Sequence, residues 1–260
     1  MKINKKIGRV NWVGVFTLFR KETKRFFKVY QQTILAPAFT SLLFFLVISL
    51  ALESRVSYEF DYKNFLAPGL IVMAMMQNAF ANTSSSILGS KMQGNIVDLL
   101  MPPLNPNEIV FAYVVAAIIR AFLIGIITFT FIFPFTSLII SNYFILLFYS
   151  LAGSVFLSLL GLIVGIWSEK FDNMSGITNF IITPLTFLSG TFYTIDRLPD
   201  PFYFICLLNP FYYIIEGFRS SFINETYDNL VYGITYISVL NIIIYVICYK
   251  ILKKGWMLKS

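Results

Sequence analysis

Few side chains in this sequence are placed to do chemistry, and the most telling is Arg120. It stands eleven residues inside an apolar run from Ile109 to Phe133, about 16 Å along a helix. A cation so placed costs about 2.5–3.5 kcal/mol to insert into a bilayer and faces a bundle interior or water. No carboxylate interrupts the hydrophobic part of any comparable run. The preceding run carries Gln77, Asn78 and Asn82, followed by Thr83, Ser84, Ser85 and Ser86. That run travels the other way, so Asn78, eleven residues before Gly89, lies at matching depth. Amide and hydroxyl oxygens are therefore expected to hold Arg120, either as a polar clamp between helices or as the lining of a substrate path. Glu216 and Arg219, three residues apart, read as an exposed ion pair.

Other chemistries are excluded by what is missing. The sequence has no His, so the commonest general base and metal ligand is absent. Cys206 and Cys248 fall at opposite ends of the apolar layer and read as small apolar residues rather than as a disulfide or metal pair. No G-x-x-x-x-G-K-[ST] motif occurs, so the chain has no P-loop of its own. Glu169 and Asp172, beside Lys170, read as a solvated loop, and Asn224 opens a three-residue glycosylation pattern. The 28 Phe and 15 Tyr fit an AT-rich coding bias and interface belts better than a stacking path. No catalytic residue, metal site or cofactor on this chain is expected.

The elements that would position these residues follow from the composition. Hydrophobic residues make up 57% of the 260 and charged residues 13%, against the ~45–50% and ~25% of soluble domains. Six runs are long enough to span a bilayer: Ile34 to Leu52, Phe65 to Leu88, Ile109 to Phe133, Tyr143 to Trp167, Gly176 to Ile195, and Leu230 to Tyr249. The fifth is weakened by Pro184 and Gly190. A shorter stretch, Phe202 to Ile215, is broken at Asn209-Pro210 and reads as a re-entrant or interfacial hairpin. The expected fold is an all-α membrane protein of six spans, with a re-entrant helical hairpin between the fifth and the sixth.

Cations set the orientation. Lys2, Lys5, Lys6, Arg9, Arg20, Lys21, Lys24, Arg25 and Lys28 crowd the first 33 residues, and Lys250, Lys253, Lys254 and Lys259 crowd the tail. Lys91 and Lys170 lie in the loops on the same side, against Arg55, Lys63, Arg197 and Arg219 opposite. Both termini are therefore placed in the cytoplasm. On a helical wheel Trp12, Phe16, Phe19, Thr23, Phe26, Phe27 and Tyr30 share one face, with Lys21, Lys24, Arg25 and Lys28 opposite. Residues 1–33 thus read as a basic amphipathic interface helix against membrane lipid rather than nucleic acid. Residues 34–252 form one transmembrane domain with an inner loop at 89–108 and an outer region at 196–222, and residues 253–260 form a basic tail. In the inner loop Met92, Ile96, Leu99 and Leu100 recur at helical spacing, with Lys91, Asn95 and Asp98 on other faces, before Pro102-Pro103 stops the helix. Periodicity alone favours a hairpin stabilised by the membrane surface over a docking element.

The outer region carries an ordered set of residues. Thr183 to Tyr193 reads TPLTFLSGTFY, Leu198-Pro199 follows, and then come Asn209-Pro210-Phe211-Tyr212-Tyr213, Glu216 and Arg219. Together with Pro68-Gly69 and the loop from Lys91 to Pro103, this order resembles the ABC-2 type exporter permeases, membrane subunits of ATP-binding-cassette exporters. The resemblance covers nearly the whole chain. It implies a dimer, with a second copy or a related permease, and a separate cytosolic ABC ATPase that binds ATP and Mg. It implies that Met92, Gln93, Asn95, Ile96, Asp98, Leu99 and Leu100 couple to that ATPase. It further implies that the outer motif of Pro184, Gly190, Pro199, Asn209, Pro210, Glu216 and Arg219 builds re-entrant helices on the exit side. The substrate class implied is amphipathic, lipid-linked, polysaccharide or drug-like, exported across a bacterial inner (plasma) membrane. The competing class is an ATP-independent secondary transporter or channel, which would carry an internal repeat or intramembrane carboxylates.

Overall fold

The computed structural model describes residues 10–52, 61–222 and 230–255. Expectations resting on Lys2, Lys5, Lys6, Arg9, Arg55, Asn224, Lys259 and the side chain of Arg197 lie outside that set. The described residues are mostly helical, without strands. α1 (Trp12–Phe27) leads through a π-helical turn (Gln31–Leu35) into α2 (Ala36–Leu52). α3 (Tyr62–Met92), α4 (Ile96–Leu100), α5 (Pro106–Ile132) and α6 (Tyr143–Trp167) follow. The chain then runs through α7 (Phe171–Ile177), a second π turn (Thr178–Ile182) and α8 (Thr183–Phe187). It ends in α9 (Asp200–Leu208), α10 (Pro210–Ser220) and α11 (Leu230–Lys254). Five helices among the described residues are long and apolar enough to cross a membrane: Gln31–Ala51, Tyr62–Met92, Pro106–Phe135, Tyr143–Trp167 and Leu230–Lys254.

Local chemistry fixes the helix ends. Asp61 caps α3 by accepting from Lys63 N at 3.1 Å, and Asn142 caps α6 by accepting from Phe144 N and Ile145 N. Pro106 opens α5, and Glu108 reaches back to Asn105 N at 2.8 Å. The other oxygen of Glu108 takes Asn11 N at 2.8 Å, which ties the start of α1 to the start of α5. Lys91 Nζ donates to Ile166 O and to Ser168 O, closing the last turn of α6.

α3 is the central helix, packed by α2, α5, α6 and α10. Its contact with α6 is close because glycines face its Ser/Thr run: a Cβ on Gly161 would strike Thr83 and the Phe80 carbonyl, and one on Gly165 would meet Ser84. Thr83 Oγ1 also donates to Ser158 O at 2.8 Å, which satisfies a buried hydroxyl across that seam.

Two segments differ from the sequence reading. The run expected to span Gly176 to Ile195 is helical from Phe171 to Phe187 and ends there. Pro184 has no N–H for the carbonyl of Phe180, and a π turn precedes it. Gly190, at φ 74°, then turns the chain out of the helix. The inner loop is not a helix from Met92 to Leu100. α3 runs through Met92, Gly94 at φ 71° breaks it, and α4 keeps only Ile96–Leu100.

Candidate functional site

The polar groups gather where α1, α3 and α5 meet. Arg120 is buried, and its Nη2 donates to Asn78 Oδ1 at 3.0 Å and its Nη1 to Asn82 Oδ1 at 3.4 Å. Its Nε donates to Thr33 O at 3.3 Å. That carbonyl is available because Pro37, four residues on, has no N–H to give it. Among the described residues no carboxylate lies within ion-pair distance of Arg120. A cation held only by neutral oxygens keeps its full charge, since guanidinium does not deprotonate in proteins.

Two residues join this cluster that the wheel did not assign to it. Arg25 turns inward: its Nη2 donates to Asn82 O at 2.7 Å and to Asn82 Oδ1 at 3.0 Å, and its Nη1 donates to Ser85 Oγ at 3.3 Å. Glu22 is fully buried and pairs with Arg25 Nε through Oε2 at 3.3 Å, while its Oε1 is buried without a hydrogen-bond partner. The wheel set Arg25 on the solvated face with Lys21, Lys24 and Lys28, which are exposed. Packing decides otherwise, because Val15, Leu18, Glu22 and Phe26 form the stripe that α1 buries, and α1 lies against α5. Trp12, Phe16, Phe27 and Tyr30 remain exposed as an apolar outer face. The one signal in the sequence is Glu22 itself, a lone acid three residues before Arg25 in a basic helix.

Beside the cluster lies a cavity of about 330 Å³ between α2, α3 and the end of α8. Gln32, Thr40, Ser41, Gln77 and Asn78 give it polar walls, and Phe44, Phe187 and Phe192 give it an aromatic one. Gln77 Nε2 reaches Thr186 Oγ1 at 3.3 Å and so ties α3 to α8. Asn78 both lines the cavity and accepts from Arg120.

At one end of the bundle, α4 has two faces. Ile96 and Leu99 are buried in the core, whereas Met92, Gln93, Asn95, Val97, Asp98, Leu100 and Met101 are exposed. Leu99 is therefore not open to a partner, and the exposed apolar side chains are Met92, Val97, Leu100 and Met101. Asn95 Nδ2 donates to Gln93 Oε1 at 3.3 Å.

At the other end, Glu216 and Arg219 do not form an exposed pair. Arg219 is 2% exposed. Its Nε donates to Phe65 O at 3.0 Å, its Nη2 to Gly190 O at 2.9 Å and to Thr191 O at 3.4 Å, and its Nη1 to Glu216 Oε1. The guanidinium also stacks on the Phe65 ring, 3.7 Å from its centroid. This one side chain pins α10, the start of α3 and the turn after α8. The sequence reading missed this because an i, i+3 pair says nothing about the third element that covers it. Gly69 leaves room for the arrangement, since a Cβ there would press on Arg219 and on Thr191 O. Asn209 joins α9 and α10: its Nδ2 donates to Leu185 O at 2.7 Å and its Oδ1 accepts from Phe211 N at 3.1 Å. Pro184, Pro199 and Pro210 each stand at the start of a helix, α8, α9 and α10.

A family model described as ABC-2 type transporter matches residues 13–223. The chain is 32% identical over 251 residues to the inner membrane transport permease YadH of Escherichia coli (strain K12), covering 96% of this chain and 98% of that protein. The same figures hold for the inner membrane transport permease YadH of Shigella flexneri. Nodulation protein J of Rhizobium leguminosarum bv. viciae is 28% identical over 177 residues, covering 65% of this chain and 66% of that protein.

Proposed function

The chain belongs to the ABC-2 type transporter family, whose members are transport permeases rather than catalytic enzymes, and from that premise we propose that it is the membrane subunit of an ATP-binding-cassette exporter. It sits in a bacterial inner membrane with both termini in the cytoplasm and pairs with a second permease subunit. ATP and Mg belong to a separate cytosolic ATPase. Six spans are counted when the helical segment from Phe171 to Phe187 is included, since its length of ~25 Å is near the lower limit for crossing. The paired helices α9 and α10 then enter the bilayer from the outer side and return. The substrate is amphipathic, and the cavity between α2 and α3, lined by both polar and aromatic side chains, is its path.

The observation that carries the ATPase docking is the split character of α4. A five-residue helix anchored by Ile96 and Leu99 moves with the core, and its exposed Val97 and Leu100, with Met101 beyond, offer a partner an apolar grip. ATP binding draws the two ATPases together, and the differential contacts at α4 shift the bundle between two arrangements.

The test is purification of the tagged chain from its own cells in mild detergent. A stoichiometric ATPase should accompany it. Val97→Asp with Leu100→Asp should lose both that subunit and its ATP hydrolysis, while the thermal midpoint of the permease stays unchanged. A chain that is stable and transport-competent with no ATPase under several gentle extractions overturns the reading.

A further inference from the structure

Charge does not balance beside the cavity. Arg120 and Arg25 both donate to Asn82 Oδ1, at 3.4 and 3.0 Å. The only carboxylate beside them among the described residues, Glu22, bonds Arg25 and not Arg120. A clamp between helices needs donors for Asn78 and Asn82, which an amide supplies without a buried charge. Two guanidiniums on one oxygen repel each other, so a purely structural role does not account for the second cation. The arrangement gains from an anion that visits the neighbouring cavity.

The level of the cluster is also informative. Lys21, Lys24 and Lys28 are exposed on the same turns of α1 that deliver Arg25 to Asn82. Lysines so placed need water or lipid headgroups. The level of Asn82 and Arg120 is therefore nearer the inner headgroup layer than the place of Arg120 in its apolar run suggests, and an anionic head passes from the leaflet by way of the exposed Gln32 into the cavity.

We propose that this cavity receives the negatively charged head, phosphate or carboxylate, of an amphiphile, and that Arg120, acting through Asn78, selects for that charge. Asn78 is the contact, through the second hydrogen of its Nδ2 (the first is donated to Ala74 O at 3.0 Å), and Arg120, on its Oδ1, is the positioning residue behind it. This rests on the cavity being the substrate path. The expected preference over a neutral head is about tenfold, the scale of one partly screened charge a few ångströms away.

The full chain, with its ATPase, in nanodiscs of zwitterionic lipid would be exposed to three photoreactive amphiphiles with the same chain. Their heads would be phosphate, maltoside and trimethylammonium. Labelling of the peptide that contains Gln77 and Asn78, read by mass spectrometry, should half-saturate at about tenfold lower concentration for the phosphate head. Arg120→Gln should level the three. Asn78→Asp is the second variant: it gives Arg120 its own carboxylate, so the protein should fold with an undiminished thermal midpoint yet lose the preference. A structural clamp predicts the preference unchanged in Asn78→Asp, and that result overturns the proposal, as does equal labelling by all three heads in the unaltered protein. Inorganic phosphate at millimolar concentration should fail to displace the phosphate amphiphile, and displacement would overturn an amphiphile-borne head in favour of a free anion. Absence of labelling by every head overturns the cavity as a path, a failure distinct from loss of charge preference.

Discussion

Removing Arg219 strips three backbone carbonyls and the Glu216 carboxylate of a shared donor in one step. Breaking a buried, hydrogen-bonded charge in this way costs about 3–5 kcal/mol. Arg219→Ala should therefore fail to accumulate or melt many degrees lower by fluorescence-detected chromatography. Arg219→Lys keeps the charge without the planar fork, so it should recover only part of the loss. The cluster around Arg120 predicts a different pattern. Asn78→Leu with Asn82→Leu leaves Arg120 without its side-chain acceptors and takes one from Arg25, which keeps Glu22 and Ser85, at about 1.5–3 kcal/mol for each charged hydrogen bond, and an unchanged melting curve would refute that account. Arg120 was visible in the sequence as a charge in an apolar run. Glu22 and Arg25 were not, because a helical wheel sorts residues by face without knowing which face the rest of the bundle will take. Here α5 takes the face carrying Glu22 and Phe26 and leaves Trp12, Phe16, Phe27 and Tyr30 outside.

Among the elements, α4 shows how a single φ angle changes a functional reading. Apolar spacing across Met92 to Leu100 suggests one continuous amphipathic helix, but Gly94 in the left-handed region resets the phase. After the reset Leu99 points into the core and Leu100 outward. Leu99→Ala should therefore cost about 2–5 kcal/mol of stability, whereas Leu100→Ala should leave the thermal midpoint within error. If the two variants melt alike, the assignment of faces is wrong. The contact between α6 and α10 is a second case. A methyl on Gly217 would fall on the Tyr149 ring, so Gly217→Ala should destabilise by about 1–3 kcal/mol through overpacking. Gly89 and Gly176, where an added Cβ meets nothing, serve as controls.

For the whole molecule the prediction concerns which side of the membrane each loop occupies. Cysteine-accessibility labelling, with Cys206 and Cys248 replaced by Ala, checks it directly. Glu169→Cys should react from the cytoplasmic side and Thr194→Cys from the outer side, since the helical segment from Phe171 to Phe187 lies between them. Labelling of both from one side would reduce the count to five crossings. The sequence by itself determined the class of molecule and most of its crossings. Length, apolarity and the placement of Lys and Arg are properties that a bilayer reads locally, one segment at a time. The order of residues from Thr183 to Arg219 likewise identified the family, because Pro184, Pro199, Pro210 and Gly190 each act on their own neighbouring backbone. Tertiary structure alone decided that Arg219 is a buried pin rather than a surface pair, and that Arg25 joins Arg120 at Asn82. It also decided that a polar cavity opens beside them. Those outcomes depend on which third helix covers a given side chain, a relation between segments far apart in the chain that no local pattern encodes.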